Sequence, residues 1–239
     1  MTGPGKLPAR DFEEIRLAEA LERGRCPVCD ARQEASYAAL RGLAREGATD
    51  RGLRDQMDKG LGFCQPHSAG LSKMELLQTS SQLATAVLLD AVLRRRLATM
   101  KKHAGKDGSG QVRGIAELSD IRCPVCARMT EASDAAARRL LELSSDGAWS
   151  AALGSAEICL EDVYALWAAA AGASKDVQGR WSQILAAQLK RLEALQKTLA
   201  EYAHNSTSDR RSLITPEQQA AAAASIRLFG GSPDRDRTR

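Results

Sequence analysis

Six cysteines fall in four short knuckles, and those knuckles constrain the chain more than any other feature. Cys26-Pro27-Val28-Cys29 is followed after 34 residues by Cys64-Gln65-Pro66-His67, and Cys123-Pro124-Val125-Cys126 after 32 residues by Cys159-Leu160-Glu161-Asp162. The two C-P-V-C knuckles lie 97 residues apart. A C-x-x-C with a remote C-x-x-H or C-x-x-D supplies four soft or borderline donors, the set that tetrahedral zinc takes. Read as a tandem pattern, Cys26, Cys29, Cys64 and His67 form one site, and Cys123, Cys126, Cys159 and Asp162 form the other.

Proline in each C-P-V-C fixes φ and lacks an N–H, so the chain turns tightly with both sulfurs on one side. A helix following the knuckle points its positive end at them and favours the thiolate that zinc needs. Four ligands from two segments close a site, which predicts a structural ion. Asp162 in place of histidine makes the formal charge of the second site about −2, against −1 for three thiolates and a histidine. That site should be the weaker unless cations compensate, and Arg122 and Arg128 flank its C-P-V-C knuckle. A pair of dithiol redox centres, an iron–sulfur cluster and inert buried cysteines are the competing readings. The first wants a βαβ setting and the second a different spacing.

Apolar spacing is helical nearly throughout, so the expected class is all-α, in duplicated helical bundle halves. The small aromatic share, 4%, with Ala and Leu dominating the apolar set, agrees with close helix packing. Phe12, Ile15, Ala18 and Leu21 mark a first helix ending near Gly24. A second runs from about Ala31 to Arg45, and a short third, capped by Thr49 or Asp50, reaches Met57. Helical spacing resumes at His67 and continues to Lys102. Residues 105–114 read as a flexible linker. The plan then repeats: a lead-in helix over Ile115 and Leu118, the knuckle at Cys123, a helix with Ala136, Leu140 and Leu143, and a long helix from about Val177 to Ala203. The expected division is therefore a first repeat over 8–104 and a second over 115–204, each with its own zinc site. A C-terminal helix over 215–230 and a disordered tail over 232–239 complete it. Thr215-Pro216-Glu217-Gln218 carries the cap, first-turn proline and third-position glutamine of a helix start.

The net charge of +4 comes from 34 basic and 30 acidic residues, too balanced for a nucleic-acid surface. Arg94-Arg95-Arg96 and Lys101-Lys102 read as a solvated helix face. No apolar run can cross a bilayer, so the expectation is a cytoplasmic protein without a membrane or nucleic-acid partner. Catalytic signatures are absent, and His103 and His204 read as solvated or dipole-capping histidines.

Cys-Pro-Val-Cys after a lead-in helix, Gly62-Phe63-Cys64-Gln65-Pro66-His67 some 35 residues on, a second Cys-Pro-Val-Cys and a final helix ending in glycine together resemble the prokaryotic family catalogued as domain of unknown function 6062. The resemblance spans roughly residues 10 to 231. It implies a helical, zinc-binding protein without an established activity, with a histidine where Asp162 stands.

The functional expectation is a zinc-binding, non-catalytic accessory, adaptor or assembly protein acting through protein contacts. Its 177–203 helix, with Leu185, Leu192 and Leu199 seven apart, packs in a bundle or mediates an oligomer. A zinc enzyme is the first alternative: Cys123, Cys126 and Cys159 would hold the ion, with an open position and Asp162 as base. A thiol-redox or metal-responsive sensor, or an iron–sulfur protein, is the second.

Overall fold

A computed structural model describes residues 7–59, 62–104, 122–207 and 210–230. Among these residues the chain is all-α: α1 Phe12–Glu22, α2 Pro27–Glu46, α3 Arg51–Lys59, α4 Gln65–Thr79, α5 Leu83–Ala104, α6 Pro124–Leu143, α7 Gly147–Ser155, α8 Leu160–Ala171, α9 Lys175–Asn205 and α10 Pro216–Gly230, with a 3₁₀ turn at Arg211–Leu213. The linker 105–114, the lead-in helix over Ile115 and Leu118 and the tail 232–239 lie outside the described residues.

The helix starts follow local chemistry. Asp11 caps α1 by accepting from the Glu14 amide, Asp146 caps α7 from Ala148 and Trp149, and Ser174 caps α9. Thr215 and Gln218 form the reciprocal capping box at α10: Thr215 Oγ1 accepts from the Gln218 amide, and Gln218 Oε1 from the Thr215 amide. Gly24, at φ +64°, ends α1 by a Schellman turn in which the Gly24 amide donates to Leu21 O and the Arg25 amide to Ala20 O. That turn delivers the chain into Cys26.

The compact units are not the two sequence halves. One consists of Met1–Ala31 with Ala132–Arg239, the other of Arg32–Glu131, and both boundaries fall inside helices, α2 and α6. The expected division into 8–104 and 115–204 is therefore not how the chain packs. Helix length supplies the reason. The 20 residues of α2 span about 30 Å, about 25 Å of it beyond Cys29. The 9 residues of α3 return it by only about 14 Å. Cys64 accordingly arrives at the far end of α2. The 20-residue α6 and 9-residue α7 repeat this arithmetic for Cys159.

In the first unit one apolar cluster joins Cys26, Val28 and Cys29 at the start of α2 to Ala136, Ala137, Leu140 and Leu141 of α6, with Trp149, Leu153, Leu166, Trp181 and Ile184. Trp149 is fully buried and its indole N–H donates to Pro8 O at 2.8 Å. Arg139 ties α6 to α1, donating to Asp11 at 2.8 Å and to buried Glu14 at 2.7 Å. In the second unit Leu40, Leu43 and Ala44 of α2 cluster with Met57, Phe63, Leu71, Leu88, Val92, Cys123 and Val125. Buried Glu75 of α4 accepts from the Ala84 and Thr85 amides at 2.7 and 2.9 Å and so closes the start of α5.

Candidate metal centres

All four knuckles are built alike. Cys26, Cys64, Cys123 and Cys159 each precede the first helical residue, and the carbonyl of each accepts from the amide four residues on: Asp30, Ser68, Ala127 and Val163, at 2.9–3.1 Å. Each is thus an N-cap, and Cys29, His67, Cys126 and Asp162 sit at the third helical position on the same side of the first turn. The C-P-V-C motif is therefore itself the first turn of its helix, with proline at N1, and α2 begins at Pro27 instead of near Ala31. Cys64 and Cys159 have extended N-cap backbones, and neither sulfur is spent on capping its own helix.

The eight donors gather into two groups of four, each with its ligand atoms within 4.8 Å of one another. The groups are Cys26, Cys29, Cys159 and Asp162, and Cys64, His67, Cys123 and Cys126. This corrects the tandem pairing. Each C-P-V-C closes with the C-x-x-D or C-x-x-H of the other sequence half, because the helix after each knuckle is too long for its own downstream pair to return. The trio Cys123, Cys126 and Cys159 proposed for an open zinc site is not assembled.

In the first group Asp162 Oδ2 accepts from the sulfurs of Cys26 and Cys29 at 3.1 Å and of Cys159 at 2.8 Å. Cys29 and Cys159 sulfurs are 3.5 Å apart. In the second, His67 Nδ1 lies 3.1, 3.4 and 3.3 Å from the sulfurs of Cys64, Cys123 and Cys126. Cys64 and Cys126 sulfurs are 3.7 Å apart. Zinc–sulfur bonds of about 2.3 Å set tetrahedral sulfur pairs about 3.8 Å apart, and mixed sulfur–nitrogen or sulfur–oxygen pairs about 3.6 Å apart. Both donor sets fit such an ion with adjustments of a few tenths of an ångström up to about 0.8 Å, the largest at the Cys159–Asp162 edge.

Burial separates the two. All four residues of the Asp162 group are buried, whereas in the His67 group Cys123 is buried, Cys64 and His67 are half-buried and Cys126 is exposed. The Cys26 thiol is pushed well above its ordinary value by its bonds to Cys159 and Cys29, then by burial and the Asp162 charge. For Cys159 the bond to Cys26 is the largest influence and acts downward, but Cys29, burial and Asp162 outweigh it and push the thiol up to about 12. Burial raises Asp162, with the Cys29 charge adding to it. In the other group Cys126 is pushed up to about 12 by partial burial and by Cys64 and Cys123. Burial lowers His67. Burial works against the thiolate of Cys123 as well, but the backbone amides of Cys126, Cys64 and Val125 outweigh it and bring this thiol down. Crowded donors resist carrying negative charge together, and a divalent cation at their centre reverses that cost.

Arg122 and Arg128, expected beside Asp162, belong to the unit of the other group. The cation that sequence reading misses is Arg191. It is half-buried and lines a cavity of about 20 Å³, room for about one water, together with Cys26, Cys159 and Arg227. Arg191 donates to Gln188 Oε1 and Ile158 O, and burial lowers its pKa. No spacing rule links it to Asp162, 29 residues earlier.

Fold and donor sets together define an all-helical protein with two four-donor clusters able to hold metal ions. The chain belongs to a family of unknown function, DUF6062, whose model matches residues 9–208. No curated protein and no solved structure matches it. Among the described residues no helix is long and apolar enough to cross a membrane.

Proposed function

We propose that this is a cytoplasmic zinc protein with two structural ions, one on Cys26, Cys29, Cys159 and Asp162 and one on Cys64, His67, Cys123 and Cys126. It serves as a non-catalytic adaptor or assembly factor through protein contacts. The observation that carries the reading is the gathering of every cysteine of the chain into two closed four-donor groups. Thiolate-rich sets select zinc over hard cations, and four protein donors leave no coordination position for water or substrate. Two helix N-termini face each group, and their partial positive charges offset the excess thiolate charge. Structural zinc contributes on the order of 10 kcal/mol of apparent binding energy, as much as the stability of an ordinary domain. Each ion would therefore decide whether its unit folds.

Elemental analysis of protein purified without added metal should give two zinc per chain. Iron with visible charge-transfer absorption, or no metal and rapidly exchanging thiols, would overturn the proposal.

A further inference from the structure

One wall of the cavity beside the Asp162 group is a helix that the core of its unit does not hold. Ala224, Arg227 and Leu228 of α10, at i, i+3 and i+4 on one helical face, close the space whose other side is made by Cys26, Cys159 and Arg191. No described residue of α10 belongs to the apolar cluster that contains those two cysteines with Trp149 and Trp181. None of them donates to the metal group either. Lifting α10 therefore leaves both the cluster and the donor set intact.

What docks α10 on α8 and α9 is slight. Among its described residues Gln218 and Ala221 are the buried ones, and an alanine methyl removes little apolar area from water. Gln218 Oε1 accepts from Asn205 Nδ2 at the end of α9, at 3.4 Å. Arg227 donates to the Glu157 carboxylate through Nε at 3.1 Å and Nη2 at 3.4 Å. With side chains 45 and 39% exposed, that pair is a weak clasp. It fastens α10 to the segment just before Cys159, two residues beyond Glu157. An element held by so few buried contacts opens locally well before its unit unfolds.

The size of the cavity decides what passes while α10 is docked. About 20 Å³ admits about one water, and neither a hydrated divalent cation nor a chelator fits. We infer that α10 is a lid on the buried Asp162 group, and that its undocking opens the route by which a metal ion reaches or leaves Cys26 and Cys159. The inference rests on the reading of that group as a zinc site and adds what controls exchange there.

The test follows zinc release from the full chain to a chromogenic chelator, beside hydrogen exchange of the α10 amides. Ala221→Asp places a charge in the docked face and should speed both α10 exchange and the slow zinc release at least about tenfold, leaving the fast release unchanged. Arg227→Glu sets two carboxylates side by side at the clasp and should speed both about threefold. Adding Glu157→Arg restores the pair with its charges exchanged and should reverse that gain. This surface pair keeps the test decisive if Ala221→Asp misfolds. Faster α10 exchange with unchanged slow release, or acceleration of the fast release instead, would overturn the inference. A chain purified without zinc would sink the metal reading alone, and the lid is then read from alkylation by iodoacetamide. Cys26 and Cys159 should react faster in both variants while Cys126 does not change; unchanged rates at Cys26 and Cys159 would sink the lid as well.

Discussion

The two clusters share one construction and differ in where it is placed. Each joins two helix N-termini, with donors at the N-cap and third positions. The Asp162 group is wholly buried among Val28, Ile158 and Val163, whereas the His67 group ends at exposed Cys126. The buried one also carries the more negative donor set, an arrangement a low-dielectric interior penalises unless an ion and nearby cations offset it. Identical local geometry thus yields one group sealed from solvent and one that solvent reaches.

The largest expected effect comes from removing a buried ligand. Cys159→Ser should lose one zinc and most of the stability of the first unit, where all three tryptophans lie. Trp149 and Trp181 are buried, so their emission should shift to the red. Cys126→Ser should also lose one zinc but move that emission less; equal shifts would erase the contrast.

Exposure then predicts unequal lability. With a chromogenic chelator, one zinc should leave at least about ten times faster than the other. Cys126→Ser should remove the fast phase, and a slow phase removed instead would reverse the assignment. Acid sharpens the same comparison. Cys26 and Cys159 hold their protons at neutral pH in the metal-free protein, because their pKa values are raised. Zinc binding at the buried group must therefore release at least those two protons, and affinity there falls as pH falls. A pH indicator in weak buffer reads the release directly.

A smaller effect is expected at Arg191. Arg191→Met should weaken zinc at the buried group about tenfold, with Arg191→Lys partly restoring it. The His67 group should be unaffected; a competitive chelator titration separates the two. Smallest is Glu75→Ala, which leaves two amides of α5 unpaired and should cost about 1–2 kcal/mol in denaturant unfolding. Burial opposes the Glu75 carboxylate, yet the Thr85 and Ala84 amides outweigh it and depress its pKa. Its contribution is thus present above the ordinary value of 4.5 and is lost as pH falls below that, through the depressed folded value. Wild type and Glu75→Ala should converge in stability under strong acid.

Much of this was legible in the residues. Helical spacing, the Gly24 stop, the capping box at Thr215 and the eight residues that gather into the two clusters were readable, because each depends on interactions within a turn or two of chain. The pairing of Cys26 and Cys29 with Cys159 and Asp162 was not. It follows from how far α2 and α6 run before the chain turns, and from which faces find each other, Val28 clustering with Leu140 in one unit and Leu40 with Val125 in the other; neither shows in the spacing of cysteines. Arg191 escaped for the same reason, since its proximity to Cys26 and Cys159 exists only once α9 packs.

Zinc content of two triple variants tests the exchanged pairing most directly. Cys26→Ser/Cys29→Ser/Cys159→Ser removes donors from one group only and should retain one zinc per chain, while Cys26→Ser/Cys29→Ser/Cys64→Ser disables both groups and should retain none. The opposite pattern, no zinc in the first and one in the second, would mean that each half holds its own ion and that the exchange is wrong.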